Sequence, residues 1–167
     1  SPRMVAKIPK MFGWDLVPDY DVYIWLDASL TFKHNQSAQW LLTQLGDAEM
    51  VFFTHWQPNI RAEATSLQRE LAKGCTYITP RYADEDLDGE LKVIFDDPDF
   101  VDTQFYSGGA FAYRPTPGVT AAMKEWWYRV SRFHCCDQFA LPHVTKDCRV
   151  NVIYEDVMGE LDIRILI

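Results

Sequence analysis

The chain has 167 residues, a net charge of −8 and a sequence pI of about 4.9, with 48% hydrophobic and 14% aromatic residues. This length and hydrophobic content predict a single folded domain over residues 1–167 and exclude a disordered chain. The acidic balance argues against nucleic acid as a partner. No apolar run reaches the roughly 18 residues of a membrane span, and no signal peptide is visible. We therefore expect a cytoplasmic protein with no membrane partner.

Hydrophobic periodicity predicts helices and strands that alternate along the chain, which is typical of an α/β fold. A run of apolar, aromatic and β-branched residues at 20–32 predicts a buried strand that ends at Asp27. The acidic section at residues 80–102 predicts a surface loop with one short element at 91–95. The remaining predictions are helices at residues 1–10, 36–45, 59–73, 119–133 and 137–144, a loop at 12–19, strands at 49–54 and 105–114, and strand-like alternation at 149–167.

Asp27 is the first candidate for a functional residue. A lone carboxylate is costly to bury at the end of an apolar strand unless a cation or polar ligand faces it. Ligands of open α/β sheets bind at the carboxyl ends of the strands, and Mn²⁺ or Mg²⁺ prefers oxygen ligands. Ser29 stands where an acid-x-acid metal motif would have its second acid, so that motif is incomplete. The alternative is an Asp that caps a turn.

Two further segments could contribute to the same site. Gly108 and Gly109, preceded by Ser107, enter a predicted strand, which indicates close approach of a ligand to the backbone or a β-bulge. Asp137 and Gln138 could bind sugar hydroxyls at the head of the following helix. The alternative for Asp137 is an ordinary N-cap.

Cationic groups and histidines are less specific candidates. Lys7 and Arg61 could grip phosphate oxygens, although either could be a surface charge. Arg3, Lys7 and Lys10 form the only small basic cluster of the sequence. His143 could be a metal ligand or an acid–base group, although a lone histidine is more often structural.

Several segments, taken in order, resemble a glycosyltransferase-like family of plants and bacteria that was long labelled a domain of unknown function. Residues 7–10 (Lys-Ile-Pro-Lys) are similar to its K-x-x-P region, and residues 24–29 (Ile-Trp-Leu-Asp-Ala-Ser) to its I-W-[IL]-D-[AG]-S motif. His55, Arg61 and Glu63 are similar to its H…R…E helix start. Trp126-Trp127 followed by Asp137-Gln138 is similar to its W-W…R-D-Q segment, with Cys136 in place of the arginine.

The resemblance implies a GT-A-like, Rossmann-like mixed sheet flanked by helices, in a shortened or minimal form without the N-terminal nucleotide-binding strands. It implies a hexosyl- or other glycosyltransferase that moves a sugar from a nucleotide-diphosphate sugar to a hydroxyl acceptor. Mn²⁺ or Mg²⁺ would be held by Asp27, Ser29 and His143, with Asp137 and Gln138 as catalytic residues. The substrate-binding residues would be Lys7, Trp25, Arg61, Ser107, Gly108 and Gly109.

Two other classes of function remain open. The chain could be a catalytically silent module of the same fold that holds a carbohydrate or a nucleotide. It could also be a structural or interaction domain of a phage or mobile-element protein. An incomplete sheet edge would invite pairing with a second subunit, which predicts a homodimer.

Overall fold

The computed structural model of the protein describes residues 2–134, 136–156 and 163–165, and the side chains up to Tyr154. Helices and strands alternate along the chain, so the predicted α/β class is confirmed. The helices are α1 (Pro2–Leu16), α2 (Ser37–Leu45), α3 (Ile60–Ala72), α4 (Thr79–Tyr82), α5 (Leu87–Phe95), α6 (Pro117–Arg132) and α7 (Leu141–Val144). The strands are β1 (Tyr23–Leu26), β2 (Leu30–Phe32), β3 (Met50–Thr54), β4 (Tyr106–Tyr113), β5 (Val150–Asp156) and β6 (Ile163–Ile165).

A mixed four-stranded sheet in the order β1-β4-β3-β5 forms the centre of the fold. β4 runs antiparallel to both of its neighbours, whereas β3 and β5 are parallel. β2 and β6 form a separate antiparallel pair. The carboxyl ends of β1, β3 and β5 therefore lie at the same edge of the sheet as the amino end of β4. This edge brings Asp27, which follows β1, towards Ser107 at the start of β4.

Helices cover both faces of the sheet. Successive residues of a strand point to opposite faces, and β3 shows this clearly. Met50 and Phe52 belong to a core shared with α1 and α6, whereas Val51 and Phe53 belong to a second core shared with α2. A third buried cluster lies between α3 and α5. The predicted mixed sheet flanked by helices is thus confirmed.

The loop predicted at residues 12–19 is wrong over its first part, because α1 continues to Leu16. Within this extension only Phe12 departs from helical geometry, with φ −123° and ψ 21°. Gly13 permits the extension, because a Cβ there would lie 3.3 Å from the hydroxyl of Tyr113 in the sheet. Packing against the sheet thus overrides the helix-breaking tendency of glycine.

The surface loop predicted at residues 80–102 is also wrong. The helix α5 occupies the middle of this section and begins four residues before the short element predicted at 91–95. Asp86 caps its N-terminus, since its Oδ1 accepts a hydrogen bond of 2.9 Å from the backbone N–H of Gly89. The acidic composition of this section led to the prediction of a loop, because acidic residues usually face solvent. Glu90, however, faces the interior.

Smaller differences concern the C-terminal third. The helix predicted at residues 137–144 is reduced to the single turn α7, because residues 137–140 form turns. The strand-like alternation at 149–167 corresponds to β5 and β6. Within that prediction, residues 157–162, 166 and Ile167 lie outside the described residues, as does Ser1 of the first predicted helix. Among the helices of the described ranges, none has both the length and the apolar character needed to cross a membrane.

A buried ion pair between Glu90 and Arg129 joins α5 to α6. The guanidinium donates to both carboxylate oxygens, at 2.8 and 3.2 Å, and both side chains are almost completely buried. Burial raises the pKa of Glu90 even though Arg129 favours its charged form. The pair therefore fixes two helices to each other at the cost of desolvating two charges.

We expect the Arg129→Leu variant to lower the free energy of unfolding by about 3–5 kcal/mol, because it leaves Glu90 buried without its counter-charge. The matched control is Arg132→Leu on the exposed side of the same helix, with an expected loss below about 0.5 kcal/mol. Urea denaturation of both variants measures the difference. The Glu90→Leu/Arg129→Leu double variant should recover much of the lost stability; a further loss would contradict this account.

Candidate functional site

The sheet edge opens because β4 leaves its pairing with β3. Phe52 pairs with Phe111, but the next residue, Phe53, pairs with Ser107, so residues 108–110 are skipped in this register. The backbone N–H of Gly108 instead donates to Oε1 of Gln138 at 3.1 Å. The bulge predicted for the glycine pair is therefore confirmed, and close approach of a ligand to this backbone stays a prediction.

Asp27 lies where β1 ends. Its backbone N–H donates to the carbonyl of Gly109 at 2.8 Å, and its carbonyl accepts from Leu30 at 2.8 Å. Asp27 thus begins a turn that is formed by backbone hydrogen bonds. The carboxylate of Asp27 takes no part in that turn. Oδ1 accepts a hydrogen bond of 2.7 Å from the Trp25 indole and lies 3.4 Å from Nζ of Lys10. The side chain is 44% exposed, so the carboxylate reaches solvent.

Asp137 is the buried counterpart of Asp27. Its Oδ2 lies 2.9 Å from Nζ of Lys7 and 2.8 Å from Nζ of Lys10. These two lysines are three positions apart in α1 and therefore share one face of that helix. The Trp126 indole donates to the backbone carbonyl of Asp137 at 2.7 Å, which fixes this segment against α6.

The charged forms of Lys10 and Asp137 stabilise each other. Burial would lower the pKa of Lys10, but the attraction of Asp137 and Asp27 outweighs it and raises that pKa above its ordinary value. Burial likewise opposes ionisation of Asp137, and the two lysines nevertheless hold its pKa below the usual range. Lys10 and Asp137 are therefore both ionised at neutral pH.

Two grooves meet at this ionised group, and we call them together the cleft. The first has a volume of about 590 Å³ and is lined by Arg3, Lys7, Lys10, Asp27 and Asp137 among others. Its charged lining consists of three positive and two negative side chains, in a chain of net charge −8.

The second groove has a volume of about 380 Å³ and differs in chemistry from the first. Its lining is mostly neutral and includes His55, Trp56 and Ser107. Asp27, Tyr77 and Gln138 line both grooves and so mark their junction. The cleft therefore consists of a cationic groove and a neutral, partly aromatic groove, and the carboxylate of Asp27 lies between them.

Most of the predicted site residues come together in the cleft. The predicted convergence of Asp27, Gly108 and Asp137 is confirmed, since a Cβ on Gly108 would lie 3.4 Å from Nζ of the lysine that contacts both carboxylates. The predicted residues found at the cleft are Lys7, Trp25, Asp27, Ser29, Ser107, Gly108, Gly109, Asp137 and Gln138.

Arg61 and His143 do not join them. Arg61 lines a neighbouring depression that shares only Trp56 with the cleft, and its guanidinium lies 3.7 Å from the ring centre of Phe95. Nε2 of His143 lies 2.9 Å from Asp97, and its Nδ1 lies 3.3 Å from Arg129. Neither of these partners lines the cleft. The grouping of Arg61 and His143 with Asp27 is therefore corrected.

The residues around Asp27 do not fit the predicted Mn²⁺ or Mg²⁺ ion. Such ions are usually held by one or two carboxylates together with water and substrate phosphates, whereas Oδ1 of Asp27 already accepts from two donors, Lys10 and Trp25. Ser29 supplies at most one hydroxyl, and His143 is held elsewhere. Within the described ranges, no three His, Cys, Asp or Glu side chains are grouped to hold a metal ion.

The sequence predictions missed two cleft residues, Lys10 and Tyr77, and the role of the buried Trp126 that fixes Asp137. A signal for Lys10 was present in the small basic cluster, because helical spacing places Lys7 and Lys10 on one face. Tyr77 and Trp126 carry no comparable signal, since aromatic residues at such positions usually belong to the core.

No protein-family model matches the chain, and comparison with curated proteins and with solved structures gives no match either. The family resemblance carried by residues 24–29 and 137–138 therefore remains a prediction, and the cleft is interpreted from its own chemistry.

Glu63 of α3 is a second unusual carboxylate. Its Oε2 is buried, and none of the described residues gives that oxygen a hydrogen bond. Burial raises the pKa of Glu63 to about 7. A carboxyl group whose pKa is higher in the folded than in the unfolded state favours folding at low pH. Its contribution is lost as the pH rises from about 4.5 through 7.

We expect the Glu63→Gln variant to be more stable than the wild type at pH 8 by about 1–2 kcal/mol, an amount discounted for solvent screening of a partly exposed group. At pH 4 the difference should vanish, because the wild-type carboxyl group is then protonated. The matched control is Glu70→Gln, which removes an exposed partner of Lys73 in the same helix. Thermal unfolding between pH 4 and 8 measures both; equal pH profiles for Glu63→Gln and wild type would refute the assignment.

Proposed function

We propose that the protein is a glycosyltransferase of GT-A-like fold that moves a sugar from a nucleoside diphosphate sugar to a hydroxyl acceptor. The observation that carries the proposal is the meeting of Lys7 and Lys10 with Asp27 and Asp137 at the carboxyl edge of a mixed α/β sheet. Ligands of such sheets bind at this edge. Ammonium groups suit a diphosphate, and a partly exposed carboxylate suits a hydroxyl group.

The cationic groove suits the diphosphate. The ammonium of Lys7 has three N–H donors, and its one ion pair among the described residues is with Asp137. Lys7 can therefore donate to a phosphate oxygen while it keeps this partner. Lys10 is more deeply buried and adds a fixed positive charge. Positive charge fixed beside the departing diphosphate would stabilise the transition state of sugar transfer.

Asp27 is better suited than Asp137 to touch the substrate. Its side chain is 44% exposed and its contacts use Oδ1, whereas the Asp137 side chain is 10% exposed and ion-paired with two lysines. We assign Asp27 as the proton acceptor and Asp137 as a positioning residue for the lysines, which changes the catalytic role predicted for Asp137. Gln138, whose Oε1 binds Gly108, can offer its N–H₂ group to a sugar hydroxyl.

The proposed step transfers the sugar with all bonds accounted for. The bond between the anomeric carbon and the diphosphate oxygen breaks, and its electron pair leaves with the diphosphate beside Lys7 and Lys10. The acceptor oxygen forms the new bond to that carbon. Its proton passes to the free carboxylate oxygen of Asp27 and then to water.

The neutral groove suits the acceptor. Trp56 and Tyr77 are 68% and 62% exposed there, although large aromatic side chains are generally buried. Exposed aromatic faces stack on sugar rings. An acceptor seated on them would reach the junction of the grooves at Asp27.

A catalytically silent binding module is the second candidate. The observation in its favour is that both carboxylates already have counter-charges, so that Oδ1 of Asp27 is held by Lys10 and Trp25. A neutralised group of this kind holds a ligand well without needing to move a proton. Binding and turnover must therefore be measured separately.

We expect UDP or GDP to bind the wild-type protein in isothermal titration calorimetry. Lys7→Met should weaken that binding about tenfold or more, because it removes a charge-assisted hydrogen bond. The matched control, Lys73→Met, removes an exposed lysine paired with Glu70 and should bind like the wild type. If neither nucleotide binds, with or without Mn²⁺, both the transferase and a nucleotide-binding module are refuted.

We expect nucleotide release from UDP-glucose, UDP-galactose or GDP-mannose in the presence of the wild-type protein. Asp27→Asn should reduce this rate by roughly 100- to 10,000-fold, because it removes the proton acceptor. The same variant should keep its nucleotide affinity within about threefold. Wild-type protein that binds these donors without releasing nucleotide, even with a panel of soluble saccharide acceptors, would favour the binding module.

A further inference from the structure

We infer that the cleft binds the diphosphate of its ligand without a divalent cation, because Lys10 takes the place between the two carboxylates where that ion would sit. The inference rests on the proposed function and specifies how its diphosphate is held. Nζ of Lys10 lies 2.8 Å from Oδ2 of Asp137 and 3.4 Å from Oδ1 of Asp27. One ammonium group thus bridges the two carboxylates that could otherwise share a metal ion.

The position of Lys10 is built into the fold. The residue is only 4% exposed, although lysine is almost never buried unless it is paired. Its ammonium lies 5.8 Å from the ring centre of Trp25 and 5.6 Å from that of Trp126, within the range of cation–π attraction. The same two indoles hydrogen-bond the side chain of Asp27 and the backbone of Asp137. The tryptophans therefore position the ammonium and both of its carboxylate partners together.

The backbone of β4 passes close to this ion pair at Gly108. A Cβ on Gly108 would lie 3.4 Å from Nζ of Lys10 and 3.7 Å from Oδ1 of Asp137. The backbone therefore approaches the ion pair about as closely as a side chain would permit. A hydrated divalent ion would need space and several oxygen ligands on this same side.

The net charge of the four side chains also disfavours a divalent cation. Lys7, Lys10, Asp27 and Asp137 sum to zero, so the group has no excess negative charge to attract a divalent cation. An ion at the Asp27 carboxylate would lie close to the ammonium of Lys10, which is itself only 4% exposed, and the two like charges would repel each other. Arg3, one turn before Lys7 in α1, adds a third positive side chain to the lining of the groove, and Glu85 lies 3.6 Å from its guanidinium.

The first experiment measures the cation requirement of the wild-type protein. UDP and GDP are titrated in excess EDTA and in Mn²⁺, and free Mn²⁺ is followed by electron paramagnetic resonance without nucleotide. We expect dissociation constants that agree within about threefold in the two conditions and no uptake of Mn²⁺. Binding in Mn²⁺ alone would overturn this inference and leave the proposed function standing. No binding in either condition would overturn both.

The second experiment removes the ammonium. Lys10→Met leaves Asp27 and Asp137 near each other without the charge between them, so we expect this variant to take up Mn²⁺ and to require it for UDP binding. Lys7→Met is the matched control, because it removes a lysine of the same helix face and keeps Lys10. It should weaken UDP binding without creating Mn²⁺ uptake.

A folded Lys10→Met variant that binds UDP in EDTA as tightly as the wild type would overturn the inference. If the variant does not fold, the wild-type titration in EDTA still decides the question.

Discussion

The arrangement of the cleft depends on one buried ammonium group, that of Lys10. A lysine at this depth is tolerated because two carboxylates compensate for its lost hydration. Those carboxylates come from distant parts of the chain, Asp27 after β1 and Asp137 after α6, so that one charge connects the first helix to both. Trp25 and Trp126 then fix the two partners by their indole N–H groups. The positions of the grooves, and the different exposure of the two carboxylates, follow from this arrangement.

The charge distribution explains how an acidic protein can offer a site for an anion. The chain as a whole carries −8, yet three of the five charged side chains that line the groove beside α1 are positive. Charges separated by more than about 10 Å through solvent are largely screened at ordinary ionic strength. A phosphate in the groove therefore interacts mainly with Lys7 and its neighbours, and the acidic exterior matters little at that distance.

The parts of the site that could be predicted from sequence are those fixed by local pattern and topology. Asp27 and Gly108 follow from a strand end and a glycine pair, and the topology of an α/β sheet brings such positions to one edge. Lys10 could not be predicted as buried, because lysine on an amphipathic helix is usually a solvated residue. The inward position of Glu90 was hidden for a similar reason, since its partner Arg129 is 39 residues away. The grouping of His143 with Asp27 failed because the order of residues along the chain does not give their distance in space.

The bulge of β4 has a consequence for the order in which the domain is completed during folding. At this point the strand exchanges a partner in β3 for Gln138, which is 30 residues away from Gly108 in the chain. Contacts between distant segments form late, because the entropy of closing long loops opposes them. On a ribosome, the sheet could pair β1, β3 and β4 while the segment at 136–144 is still unsynthesised. Lys10 and Asp27 would then remain solvated until Asp137 packs against them. Only this last contact would bury the ammonium group of Lys10, on which the arrangement of the cleft depends.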